Sequence, residues 1–149
     1  MQLQKETKTS KFESEYQQAI VNVLFTYGWC IDNLKKEIEA YDITTQQFNI
    51  LRILRGQYPN PSTISLLKSR MLDKMCDASR IVDRLVQKGY VLKATSPNDK
   101  RAVDILITEK GLTLLKQIGT EVNLWAFVSD NLTEEEAIQL NNLLDKMRG

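Results

Sequence analysis

Between Ala78 and Ile107 the hydrophobic period of the chain changes, and no other feature limits its possible folds as sharply. Ala78, Ile81, Val82 and Leu85 stand at i, i+3, i+4 and i+7, the stripe of an amphipathic helix. The spacing predicts a helix over about Lys74 to Lys88, with Asp73 as N-cap and Gly89 at the C′ position. Tyr90–Ala94 and Ala102–Ile107 then read as two short strands. The segment Thr95-Ser96-Pro97-Asn98-Asp99-Lys100-Arg101 between them is polar and turn-rich and ends in two cations. A helix that passes directly into a basic-tipped β-hairpin has few homes among known architectures.

The flanking segments narrow the choice further. Phe12, Tyr16, Ile20, Val23, Tyr27, Ile31, Leu34 and Ile38 recur in steps of three and four, which predicts a long helix from about Lys11 to Ala40. A second stripe of Val21, Phe25 and Trp29 widens its apolar face, as expected of a helix with two partners: its own domain and another subunit. Thr44 with Gln47 fits a capping box for the next helix, which buries Phe48, Leu51, Ile53 and Leu54. After the break at Tyr58–Ser62, a short helix from about Thr63 to Met71 buries Ile64, Leu67 and Met71. Beyond the hairpin, Thr108 opens a helix whose apolar side is Leu112, Leu115, Ile118, Val122 and Trp125 or Ala126. A last helix starts at the capping box Thr133–Glu136 and is expected to bury Ala137, Leu140, Leu144 and Met147.

This order defines a mainly α fold with a small β-hairpin wing, a winged helix-turn-helix. The expected organisation is one domain over 1–149. Residues 44–107 would form the DNA-binding lobe.

Charge points the same way. The net charge of the chain is +1, but Ser62 to Arg101 holds nine Lys and Arg against four Asp and Glu, a net of +5. The remainder holds eleven basic and fifteen acidic residues, a net of −4. A basic middle between acidic ends is what a protein needs if only its middle touches phosphates. The chain has no histidine, which removes the commonest general base and metal ligand. Two distant cysteines make neither a disulfide framework nor a zinc site. No enzyme, no cofactor and no metal is expected. No apolar run approaches the ~20 residues of a membrane span and the polar N-terminus is no secretory signal, so the expected location is cytoplasmic, away from membranes.

Within this frame the candidate DNA contacts are Lys68, Arg70, Lys74, Cys76, Asp77, Ser79, Arg80, Arg84, Asn98, Lys100 and Arg101. Sequence readout is expected from Lys74 to Arg80 and phosphate contact from Lys68, Arg70, Lys100 and Arg101. A solvated helix face and an ordinary loop tip are the plainer readings of the same charges. Asp83 is expected to pair with a neighbouring cation. Tyr27, Trp29, Tyr41, Phe48 and Trp125 are candidate walls of an aromatic-effector pocket, the alternative being core or dimer interface. Cys76, near a predicted helix N-terminus with Lys74 and Arg80, sits where thiol pKa values fall, which makes it a candidate redox switch. Cys30 is expected to pack in the first helix.

Three stretches carry a specific resemblance. Met71-Leu72-Asp73-Lys74-Met75 through Ser79–Leu85 and Lys88-Gly89-Tyr90-Val91, the wing Pro97-Asn98-Asp99-Lys100-Arg101-Ala102-Val103, and Ile107-Thr108-Glu109-Lys110-Gly111 together resemble the multiple-antibiotic-resistance regulator (MarR) family. The resemblance extends from about Phe12 to Met147. It implies a homodimer that interlocks its N- and C-terminal dimerisation helices, residues 11–40 and 112–149, and presents one recognition helix to each half of a near-palindromic double-stranded DNA operator. It implies that Arg101 enters the minor groove with Asp99 as wing support, and that repression is relieved by a small phenolic or aromatic effector or, in other members, by cysteine oxidation. The chain departs from the pattern in lacking a glycine in the turn Met71-Leu72-Asp73, and in carrying Cys76 and Asp77 near the start of the recognition helix. Two alternatives remain open: a thiol-based redox-sensing regulator, and a winged-helix protein-interaction module that does not bind DNA.

Overall fold

The computed structural model describes residues 2–8 and 11–149 and divides into two compact units, Met1–Thr45 and Gln46–Gly149. The first contains a short helix α1 (Leu3–Glu6), the long α2 (Glu15–Ile38) and a 3-10 turn (Glu39–Tyr41). Ser14 caps α2 by accepting from the Gln17 N–H, and Asp42 ends the segment in the left-handed region at φ 55°. The N-terminal part of the predicted stripe is open in the single chain: Tyr16 is 85% exposed, and Ile20, Val23, Leu24 and Tyr27 are exposed as well. Val21, Phe25 and Trp29, the second stripe, are half-buried.

The second unit follows the order α3 (Thr45–Gln57), α4 (Ile64–Arg70), α5 (Ala78–Gln87), β1 (Val91–Thr95), β2 (Val103–Ile107), α6 (Glu109–Glu121), α7 (Ala126–Ser129) and α8 (Glu134–Arg148). Its core takes Phe48, Ile50, Leu51 and Leu54 from α3, Leu67 and Met71 from α4 and its end, and Ala78, Val82 and Leu85 from α5. Val91, Ile105, Ile107, Leu114, Leu115, Ile118 and Leu124 complete it. The strands pair antiparallel from Val91↔Ile107 to Thr95↔Val103, and Ser62 adds a bridge to Ile105 on the outer side of β2. Both bonds of that bridge are 2.8 Å, so the segment before α4 serves as a third edge to the hairpin.

Three sequence expectations need correction here. Helix α5 begins at Ala78, not Lys74, and its N-cap is Asp77, whose carboxylate accepts from the Arg80 N–H at 3.2 Å. Asp73 caps a turn instead, accepting from the Met75 N–H at 3.0 Å. The two aspartates lie about one helical turn apart, so the apolar stripe fits either start; the residues between them form a loop because their polar groups find local partners. In α8 the capping box at Thr133 and Glu136 is present, but no residue of the helix is buried in the single chain. Ala137 and Leu144 are half-buried, and Leu140 and Met147 are exposed together with Ile138 and Leu143. In α6 the deeply buried positions are Gly111, Leu114, Leu115 and Ile118. The helix ends at Glu121, where Val122 turns extended, so Trp125 and Ala126 do not continue its stripe.

Candidate nucleic-acid interface

The outward face of α5 is set by its inward one. Ala78, Val82 and Leu85 are each 0% exposed, so Ser79, Arg80, Asp83 and Arg84 project away from the core. Asp83 is engaged sideways: its carboxylate accepts from Lys93 Nζ of β1 at 2.8 Å, which ties helix to hairpin. Arg80 and Arg84 remain exposed on the same face.

The end of α5 is fixed by a Schellman motif. The Gly89 N–H donates to Val86 O at 2.9 Å and the Tyr90 N–H to Leu85 O at 3.0 Å, with Gly89 at φ 78°. Thr108 then locks this corner to α6. Its backbone N–H donates to Tyr90 O at 3.0 Å, and its hydroxyl donates to Gly89 O at 2.7 Å and accepts from the Gly111 N–H at 3.1 Å. Lys110 lies over the Tyr90 ring at 4.8 Å from its centroid and donates to Lys88 O at 2.8 Å. A Cβ on Gly111 would stand 2.5 Å from Tyr90 O, so the Thr-x-x-Gly sequence is a packing requirement of this junction.

At the wing tip, the Ser96 N–H donates to Ala102 O and the Ala102 N–H to Asp99 O, both at 3.0 Å. The Asp99 carboxylate accepts from the Arg101 backbone N–H at 2.9 Å, so it shapes the turn from which Arg101 projects. Asn98, Lys100 and Arg101 are exposed at this tip, and Lys68 and Arg70 are exposed at the end of α4. The candidate contacts thus come from three consecutive elements, α4, α5 and the hairpin.

The loop between α4 and α5 holds the remaining candidates differently from expectation. Lys74 turns its ammonium back to the end of α4, donating to Ser69 O at 2.6 Å. Cys76 lies before the helix, half-buried, with its sulfur 3.0 Å from Asp73 O and 3.2 Å from Met71 Sδ. Burial, followed by the Asp73 carboxylate, raises its pKa above the usual thiol value, opposite to the lowering expected from a helix N-terminus flanked by cations. Burial raises Cys30 likewise. Both cysteines are free thiols.

Of the aromatic candidates, Tyr27, Trp29 and Tyr41 belong to the first unit and Phe48 and Trp125 to the second. Phe48 and Trp125 are brought together by a residue the sequence reading missed. The Arg52 guanidinium carbon lies 5.7 Å from the Phe48 ring centroid and 5.4 Å from that of Trp125. These three, with Arg55, Leu115 and Leu124, line a small cavity of about 150 Å³. The signal was an aromatic and a cation at i and i+4 of one helix, Phe48 and Arg52. Among the described residues no cluster of His, Cys, Asp or Glu is arranged to hold a metal, and no helix is long and apolar enough to cross a membrane.

A capped helix with an apolar inner face, followed at once by a hairpin tied to it, defines the class: a winged helix-turn-helix protein. Comparison with known proteins gives the family. The MarR family model matches residues 43–103. The multiple antibiotic resistance protein MarR of Escherichia coli is 32% identical over 117 residues, covering 76% of this chain and 79% of that protein. The repressor IacR of Pseudomonas putida is 28% identical over 121 residues, 80% of this chain and 71% of its own length. Among solved structures, a MarR-like transcription regulator from Bacillus cereus superposes with a TM-score of 0.79 at 27% identity, covering 89% of this chain and 95% of that one. A cysteine-to-serine variant of E. coli MarR complexed with operator DNA gives 0.79 at 29% identity, covering 93% and 99%. The chain belongs to the MarR family of transcriptional regulators.

Proposed function

We propose that the protein is a homodimeric repressor that binds a near-palindromic duplex operator and releases it on binding a small aromatic effector. The observation that carries the reading is the run of exposed cations Lys68, Arg70, Arg80, Arg84, Lys100 and Arg101 along α4, α5 and the wing tip. In this reading α5 lies in the major groove with Ser79 and Arg80 toward the base edges, and Arg101 reaches the neighbouring minor groove from its Asp99-supported turn. The likeness to a MarR–operator complex supports duplex DNA as the partner. The open apolar faces of α2 and α8 support a second copy of the chain as the other partner, since exposed apolar faces of this extent usually mark interfaces. The Arg52 site between Phe48 and Trp125 supports an effector that offers an aromatic ring, or an anion to the guanidinium groups. The raised pKa of Cys76 speaks against oxidation as the signal.

The test is selection from a pool of random duplexes at two salt concentrations, with Arg101→Ala alongside. The expected result is enrichment of a palindrome, binding that weakens with salt, and a log–log salt slope reduced by up to about 1.8 in the variant, one phosphate's worth for each Arg101 of the dimer. A folded protein that binds no duplex at low salt would refute the DNA reading and leave the protein-interaction module in front.

A further inference from the structure

The large exposed apolar side chains of the second unit include one that its packing does not explain. Leu140, Leu143 and Met147 share a helix face on α8, but the loop before α5 exposes Leu72 at 85% and Met75 at 94%, and Met75 is the one next to the helix. The loop around it is held in place. The Leu72 N–H donates to Asn49 Oδ1 at 3.1 Å, the Met75 N–H to Asp73 Oδ1 at 3.0 Å, and Lys74 Nζ to Ser69 O at 2.6 Å. Cys76 points its sulfur toward Met71 and Asp73. An ordered loop therefore holds a long thioether side chain out into solvent, immediately before the first turn of the helix proposed to read DNA.

The neighbouring side chains are spent. The Asp77 carboxylate caps α5, the Lys74 ammonium closes α4, the Cys76 thiol faces inward, and Leu72 lines a recess with Asn49, Arg52 and Ile53. Leu72 lies beside that recess although it is 85% exposed, whereas Met75, at 94%, is the most exposed apolar side chain of the loop and the nearer to α5 in sequence. Its occupant would lie near the first turn of α5, where Ser79 and Arg80 are exposed, on the part of the chain that carries the proposed DNA contacts. The major-groove edge of DNA offers one apolar group there, the C5 methyl of thymine. An unbranched, polarisable side chain adapts well to such a contact. The geometry points to Met75 as a specificity-determining residue that reads a thymine methyl in each operator half-site. This inference rests on the DNA-binding reading above.

The experiment takes the full chain and the duplex it enriches, and replaces each thymine in turn by deoxyuridine, which keeps the base pair and removes only the methyl. For the wild type, one position per half-site is expected to weaken binding about fourfold, the worth of one buried methyl-sized group. In Met75→Ala that penalty should vanish while the salt slope and the effects at other positions stay. In Met75→Leu it should return. At this exposure both variants are expected to unfold with the wild type, which thermal melting checks. A wild-type scan with no sensitive thymine, or a penalty that persists in Met75→Ala, overturns the assignment while DNA binding stands. Absence of any enriched duplex overturns the DNA reading and the assignment with it.

Discussion

Substituting Gly111 by alanine sets two effects of opposite sign against each other inside one helix. Alanine is the better helix former by about 1 kcal/mol, and less in a first turn such as this. Against it stands the new Cβ, 2.5 Å from the Tyr90 carbonyl oxygen and 2.7 Å from Ile107 Cγ1. Neither neighbour is a free side-chain end: one is backbone, the other the branch of a buried residue in β2. Overpacking of this kind costs about 1–3 kcal/mol. Displacing the Tyr90 carbonyl also weakens the bond it accepts from the Thr108 N–H, worth about 1 kcal/mol. The net expectation is a loss of about 1–3 kcal/mol, or a Tm lower by roughly 3–10 °C for a domain of this size. Gly119, in the same helix, has nothing within 4 Å of its would-be Cβ, so Gly119→Ala should raise Tm by about 2–4 °C. Thermal unfolding of both variants and the wild type at one protomer concentration, which matters if subunits associate, measures the pair. A Gly111→Ala protein that melts at or above the wild type would refute the account of the α5–α6 junction.

Removing the cap of α5 by Asp77→Ala should cost about 1 kcal/mol and fray its first turn, read as lower helicity and, on the proposed function, weaker duplex binding, with Asp77→Asn restoring most of the stability. The Asp83–Lys93 pair is largely exposed, so Asp83→Asn should change stability by less than about 1 kcal/mol in denaturant unfolding. Alkylation of Cys76 in the folded protein should rise with pH to a midpoint above that of the same thiol in denaturant, because burial and Asp73 penalise the thiolate; a lower midpoint in the folded chain would contradict this. Leu143→Glu on α8 should shift the sedimenting species toward monomer while leaving the CD spectrum of the lobe unchanged; an unaltered dimer would exclude that face from the interface.

The hairpin, the Gly89 C′ position, the Thr108 and Thr133 caps and the inward stripe of α5 were legible in the sequence because each is decided by residues within one turn of itself. The start of α5 was not. Asp73 and Asp77 are both good N-caps, a shift of about one turn leaves Ala78, Val82 and Leu85 on the same face, and periodicity has no way to choose. What decides is the set of bonds made by the Lys74 ammonium, the Cys76 thiol and Asn49, partners that no spacing rule links. The same shift moved Cys76 out of the helix and reversed the direction expected for its pKa. The open face of α8 was misread for a different reason. A stripe records that a face is apolar and is silent on whether its cover comes from the same chain. Arg52 was overlooked because a lone exposed arginine looks solvated until the fold returns Trp125 to its other side.

The junction at Gly89, Tyr90, Thr108 and Gly111 has a mechanical consequence. The end of α5, the hairpin and the first turn of α6 meet there through backbone carbonyls and the short Thr108 hydroxyl, with the Lys110 side chain lying across the corner. A push on α6 is therefore expected to carry the end of α5 and the base of the hairpin with it as one lever arm. In the homodimer proposed above, the adjustable quantity would be the span between one copy's lever and the next. On that proposal, an effector would alter the pitch at which two levers meet a double helix and leave the shape of each lever as it was.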